Sequence, residues 1–193
     1  VYTLYMNKII LLGLLSLFIL GCGDKPFNET ESISRGITLE MVKLALNDRS
    51  HRYSKKVTES DDGLVLSVEF HIPAKKPYSS KKNTEKILGI SFNKKSDAID
   101  LLVDGYATQK LRYMKHVKFT DMISVPELGD NAYASIVFFH PNKPLASVIF
   151  TQGDMLVIID LSSFKDHTRT IKDRDRVIEL AKQINNTFNL ESY

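Results

Sequence analysis

Residues 64–72 place a large apolar side chain at every second position: Leu64, Leu66, Val68, Phe70 and Ile72. Val65, Ser67, Glu69 and His71 fall between them. A strand sends successive side chains to opposite faces, so this stretch predicts a β-strand with one buried face and one largely polar face. Such a strand is unstable alone. The chain must build a sheet around it and cover the apolar side. Residues 53–60 supply the other arm of a hairpin closed by Asp61-Asp62-Gly63, where glycine accommodates the positive φ of the turn. Pro73 ends the second arm, and residues 87–92 alternate again through Leu88, Ile90 and Phe92.

The C-terminal half predicts strands at 117–125, 132–140, 145–151 and 155–161. Turns separate them at Pro126-Glu127-Leu128-Gly129-Asp130, Pro141-Asn142-Lys143-Pro144 and Gln152-Gly153. Met155 through Ile159 are apolar at every position, as in a central strand covered on both faces. Three helices are predicted around this sheet. Thr38 caps the first, which runs to about Asp48 with Leu39, Val42, Ala45 and Leu46 inward. Ser96 caps the second, which continues to about Tyr113 on a stripe of Ile99, Leu102, Val103 and Tyr106. Thr170 and Asp173 form a capping box for the third, whose Val177, Leu180, Ala181, Ile184 and Phe188 keep helical spacing. The expected fold is α+β: an antiparallel sheet of six to seven strands with three helices packed on it, the last amphipathic and C-terminal. Residues 37–193 form a single domain, and there is no internal repeat.

Ahead of this domain lies a stretch of different character. Lys8 gives a short positive region, residues 9–20 a hydrophobic run of about a dozen, and Ile19-Leu20-Gly21-Cys22 a terminal tetrapeptide. The run is shorter than the 18 or more apolar residues of a spanning helix, and Asp24, Lys25 and Pro26 follow at once. The stretch resembles a bacterial lipoprotein signal peptide with its lipobox. That resemblance implies cleavage before Cys22 and acylation of its thiol, with Leu20 a looser match than Ala or Ser. On this reading residues 1–21 are the signal peptide, residues 1–5 an upstream-start extension before Met6, and residues 22–36 the acylated cysteine and a polar tether. Gly23 instead of Asp after the cysteine implies the outer membrane facing the periplasm, where the organism has one, over the inner membrane.

Removing residues 1–21 leaves 172 of 193, enough to bury a core. Cys22 is the sole cysteine, so no intrachain disulfide can form and burial must stabilise the domain. The net charge of +3 falls to about +2 on loss of Lys8, too little to indicate nucleic acid as a partner.

Candidate chemistry is sparse. The sequence contains no phosphate loop, G-x-S-x-G elbow, H-E-x-x-H helix or EF-hand loop. His51, His71, His116, His140 and His167 are too dispersed for a local metal pair, and no cofactor is implied. Asp97, Asp100 and Asp104 share one helical face, which offers a calcium or basic-partner site; a solvated face accounts for them with fewer assumptions. Lys75, Lys76, Lys81, Lys82 and Lys86, then Lys94 and Lys95, make the most basic stretch. Lys75, Lys76, Lys81 and Lys82 are the candidate contact with an acidic partner or anionic headgroups, against the plainer reading of a solvated loop. Only Tyr78 interrupts it as an aromatic, which again argues against nucleic acid.

The run Glu127-Leu128-Gly129-Asp130-Asn131-Ala132-Tyr133-Ala134, followed by an apolar strand, Gln152-Gly153-Asp154, a further strand and an amphipathic helix, resembles the C-terminal half of the Mog1/PsbP-like α+β domains. These occur in many bacterial lipoproteins and extracellular sensors. The resemblance spans about residues 124–188 and implies a mostly non-catalytic binding or scaffold module. The expected function is therefore a lipid-anchored envelope lipoprotein that binds a protein or envelope component, an immunity or inhibitor type among them. The alternative is an envelope hydrolase using dispersed His and Asp residues.

Overall fold

The computed structural model describes residues 30–47, 52–73, 84–107, 118–140, 143–162 and 167–189. Seven antiparallel strands form one sheet: β1 (Ser54–Glu59), β2 (Val65–Pro73), β3 (Thr84–Asn93), β4 (Lys118–Ser124), β5 (Tyr133–His140), β6 (Lys143–Gln152) and β7 (Met155–Ser162). Their spatial order is β1-β2-β3-β7-β6-β5-β4. The four described helices are α1 (Thr30–Gly36), α2 (Leu39–Leu46), α3 (Ser96–Ala107) and α4 (His167–Asn189). The stretch expected to be a signal peptide with a lipobox at Cys22 lies outside the described residues, as does the segment 74–83 with Lys75, Lys76, Lys81 and Lys82.

The alternation of β2 does what its sequence predicts. Leu66, Val68 and Phe70 are fully buried, and Leu88, Ile90 and Phe92 of β3 lie beside them on the same face. Val148, Phe150, Val157, Ile159 and Leu161 extend this apolar layer across β6 and β7. Val177, Leu180, Ala181 and Ile184 of α4 close over it, joined by Val42 and Ala45 of α2. The ring of Phe188 meets Phe92 edge-on at 5.8 Å, which seats the end of α4 on β3. The opposite face carries a smaller cluster, in which Ile99, Leu102 and Val103 of α3 pack on Ile149 and Leu156. β7 occupies the fourth of seven places, which explains its unbroken apolar run: Leu156 serves one face while Val157 and Ile159 serve the other.

Local chemistry sets the boundaries. The Thr38 hydroxyl accepts a hydrogen bond from the Met41 amide at 3.2 Å, and Asn47 closes α2 in the left-handed region at φ 48°. Gly63 adopts φ 67° in the β1–β2 turn, where the Asp62 carboxylate accepts from the Leu64 amide and pairs with Lys95 at 2.6 Å. These bonds, with that from Ser60, hold the Asp62 carboxyl far below the usual carboxylate range.

Three expectations need correction. Four helices are described, not three, because Thr30–Gly36 is helical where a polar tether was expected. Ile33 and Ile37 are four residues apart and both reach the main core. Helix α4 starts at His167, so Thr170 lies inside it and does not cap it; Asp173 pairs instead with Arg176 at 3.1 Å. Leu39 points outward from α2, leaving Val42 and Ala45 as its buried pair.

Candidate functional site

The sheet face turned away from α4 carries a polar row. Register places Glu69 of β2 beside Gly89 of β3, then Asp160 of β7, Ser147 of β6 and Ser135 of β5. At strand spacing, Glu69 and Asp160 are about 10 Å apart along it.

Lys86 joins this row through a backbone irregularity. Strict alternation from Leu88 would send Lys86 into the apolar core. Between Phe70 and His71 the register shifts, so that Phe70 faces Leu88 while His71 faces Lys86, and Ile87 becomes the extra residue. The bulge turns Lys86 onto the polar face. There its Nζ donates to Glu69 Oε1 at 3.2 Å. Gly89 gives it room: a Cβ at that position would meet Nζ at 3.3 Å.

His71 Nε2 lies 3.1 Å from Glu69 Oε2. An ionised carboxylate only accepts, so Nε2 carries the proton. Nδ1 is buried with no hydrogen-bond partner. Burial would push the Glu69 carboxyl up, but the bonds from Lys86 and His71, with their charges, hold it below its ordinary value. Asp160 goes the other way. Burial raises its pKa, and the bond from Ser147 and the charge of Lys86 only partly offset that. The Ser135 hydroxyl ends the row fully buried and without a partner. The row therefore brings together an ammonium, an imidazole and two carboxylates of unlike acidity between β2 and β7.

Within it, His71 and Ser147 do not form a base–nucleophile pair. β3 and β7 stand between His71 and Ser147, which puts their Cα atoms at about 14 Å or more, too far for an imidazole to take a hydroxyl proton. Among the described residues no three His, Cys, Asp or Glu side chains are placed to hold a metal ion. Asp97, Asp100 and Asp104 are all exposed along α3. Of the basic stretch, Lys86 is bound to Glu69 and Lys95 to Asp62. The segment 74–83 leaves the sheet at Pro73 and returns at Thr84, residues that register holds side by side. Its lysines thus belong to the connection that springs from the Glu69–His71–Lys86 end of the hairpin.

The turn singled out by resemblance is built as a 3-10 turn at Pro126–Leu128 followed by Gly129 at φ 113°, with the Ala132 amide bonded to Gly129 O at 3.2 Å and leading into β5. Sequence reading missed Asp160 and Lys86 as partners. The available signal was a lysine at a position whose parity predicts burial.

No protein-family model matches the chain, and no curated protein sequence matches it. Among solved structures it is similar to the extracellular domain of PknH from Mycobacterium tuberculosis, at 11% identity and a TM-score of 0.50. The match covers 87% of this chain and 100% of that domain. At such identity the likeness is one of fold alone. The class defined is a mixed α+β domain with an antiparallel sheet, of an architecture also found outside the cell. Among the described residues no helix is long and apolar enough to cross a membrane.

Proposed function

We propose that this chain is a lipid-anchored envelope lipoprotein whose α+β domain binds a protein or envelope component without catalysing a reaction. Cys22 is the site of acylation, and the outer membrane facing the periplasm is the proposed address. The observation that carries the binding reading is the Glu69–His71–Lys86 cluster, which presents a half-exposed ammonium and an imidazole around one carboxylate on the polar sheet face. The fold likeness to an extracellular domain supports the location. Lys75, Lys76, Lys81 and Lys82, continuing from Lys86, form the contact for an acidic partner.

The test is a pull-down from envelope extract with the mature chain, repeated with all four lysines changed to Gln. Retention should fall in the variant and fall again as salt rises, since exposed charge pairs are screened within about 8–10 Å. Thermal stability should stay nearly unchanged. Equal capture by both proteins would remove the lysines as the contact. Turnover of an envelope polymer that depends on His71 would replace the binding reading with the hydrolase.

A further inference from the structure

The lipoprotein reading of Cys22 has a geometric consequence. Seven residues separate Cys22 from Thr30, and however they run they span at most about 29 Å. α1 is itself fastened down. Ile33 is only 3% exposed in the main core, and Lys55 of β1 donates to the carbonyls of Ser34 and, at 2.8 Å, Ile37. A lipid on Cys22 therefore holds the α1–α2 side of the sheet near the bilayer.

That side carries most of the large apolar side chains that are exposed among the described residues. Four large apolar side chains are exposed among the described residues: Leu39 at 36% and Leu44 at 64% on α2, Val57 at 40% on β1, and Ile123 at 40% on the far edge strand β4. Lys55, which reaches over to the α1–α2 junction, lies two residues from Val57 on the same side of its strand. Glu40 and Lys43 of α2 pair at 3.0 Å, so the helix brings little net charge to an anionic surface. We infer that the outer face of α2, with Val57, rests on the bilayer at the headgroup–acyl boundary. The Glu69–Lys86–Asp160 face, on the other side of the sheet, then points to the aqueous compartment. Three side chains are too few to hold a free domain there; the anchor supplies the effective concentration.

The chain contains no tryptophan, so one introduced residue reports without background. Leu44→Trp probes the proposed contact, and Asp100→Trp, at an exposed position of α3 on the opposite face, serves as control. Each variant is studied in two forms, in phosphatidylethanolamine–phosphatidylglycerol vesicles with or without brominated acyl chains. One form is the acylated protein purified from membranes. The other is the mature chain from Cys22, which keeps every described residue, coupled through its only thiol to a maleimide lipid. The Leu44→Trp emission should fall by roughly half in brominated vesicles, as expected for a side chain seated at the acyl boundary, while Asp100→Trp keeps its emission. Equal Leu44→Trp emission in both vesicle types, or stronger quenching of Asp100→Trp, would overturn the inference. Absence of lipid on Cys22 in the membrane-derived sample sinks the lipoprotein reading by itself, and the maleimide-coupled sample still decides the contact.

Discussion

Asp160 shows how a single position combines packing and charge. Its neighbours on β7, Ile159 and Leu161, are core residues, and its own side chain turns to the polar face, where it feels the charge of Lys86. Because its folded pKa is raised, the native state holds its proton more tightly than the unfolded chain. Stability is lost as pH rises from the ordinary carboxylate value through the raised one. Asp160→Asn keeps an acceptor for Ser147 and removes the buried charge. It should raise the melting temperature at neutral pH by about 2–4 °C, if the relief is near 1 kcal/mol, and change little below the carboxylate range. Scans at the two pH values check this. Glu69 has the opposite sign: its lowered pKa adds stability above the unfolded value, lost as pH falls through the folded one. Part of this row was legible beforehand. Glu69 and His71 follow from alternation on β2, whereas Lys86 depends on a bulge and Asp160 on β7 entering between β3 and β6. No local pattern specifies either.

At the scale of elements, sequence reading succeeded where periodicity is sustained and faltered where an element is short. All seven strands and α2, α3 and α4 were foreseen, since each carries repeated spacing. α1 has only about two turns, too little to show a period, and its charged residues are Glu31 and Arg35. Its stability is tertiary, from Ile33 and from Lys55. Lys55→Met should free the Ser34 and Ile37 carbonyls and cost about 1.5–3 kcal/mol, the usual value for bonds to a charged group. Hydrogen exchange should rise through 30–37 and stay unchanged in β6. Uniform protection in the variant would show that Ile33 alone seats the helix. α4 supplies the larger share of the lid. Leu180→Ala and Ile184→Ala, both at fully buried positions, should each cost about 2–5 kcal/mol in denaturant unfolding. Losses under about 0.5 kcal/mol at both would mean that the stripe is misplaced.

At the largest scale, the described residues form a seven-stranded sheet with unequal faces. One carries three helices over a continuous apolar core; the other carries α3 beside a charged row. This asymmetry suits the proposed module, anchored on one side and open to a partner on the other. The fold class was legible because alternation and turn residues are local; the polar row was not, because only the register brings its side chains together. The proposed anchor at Cys22 is what would fix where the chain is fastened. The most direct measurement is mass spectrometry of the N-terminal peptide from the membrane-purified protein, alongside membrane fractionation of a Cys22→Ala variant. Acylation predicts a mature chain beginning at a diacylglyceryl-modified Cys22, and a Cys22→Ala variant that loses acyl labelling and membrane association with its fold intact. An unmodified Cys22 still joined to residues 1–21, with unchanged membrane association of the variant, would contradict it.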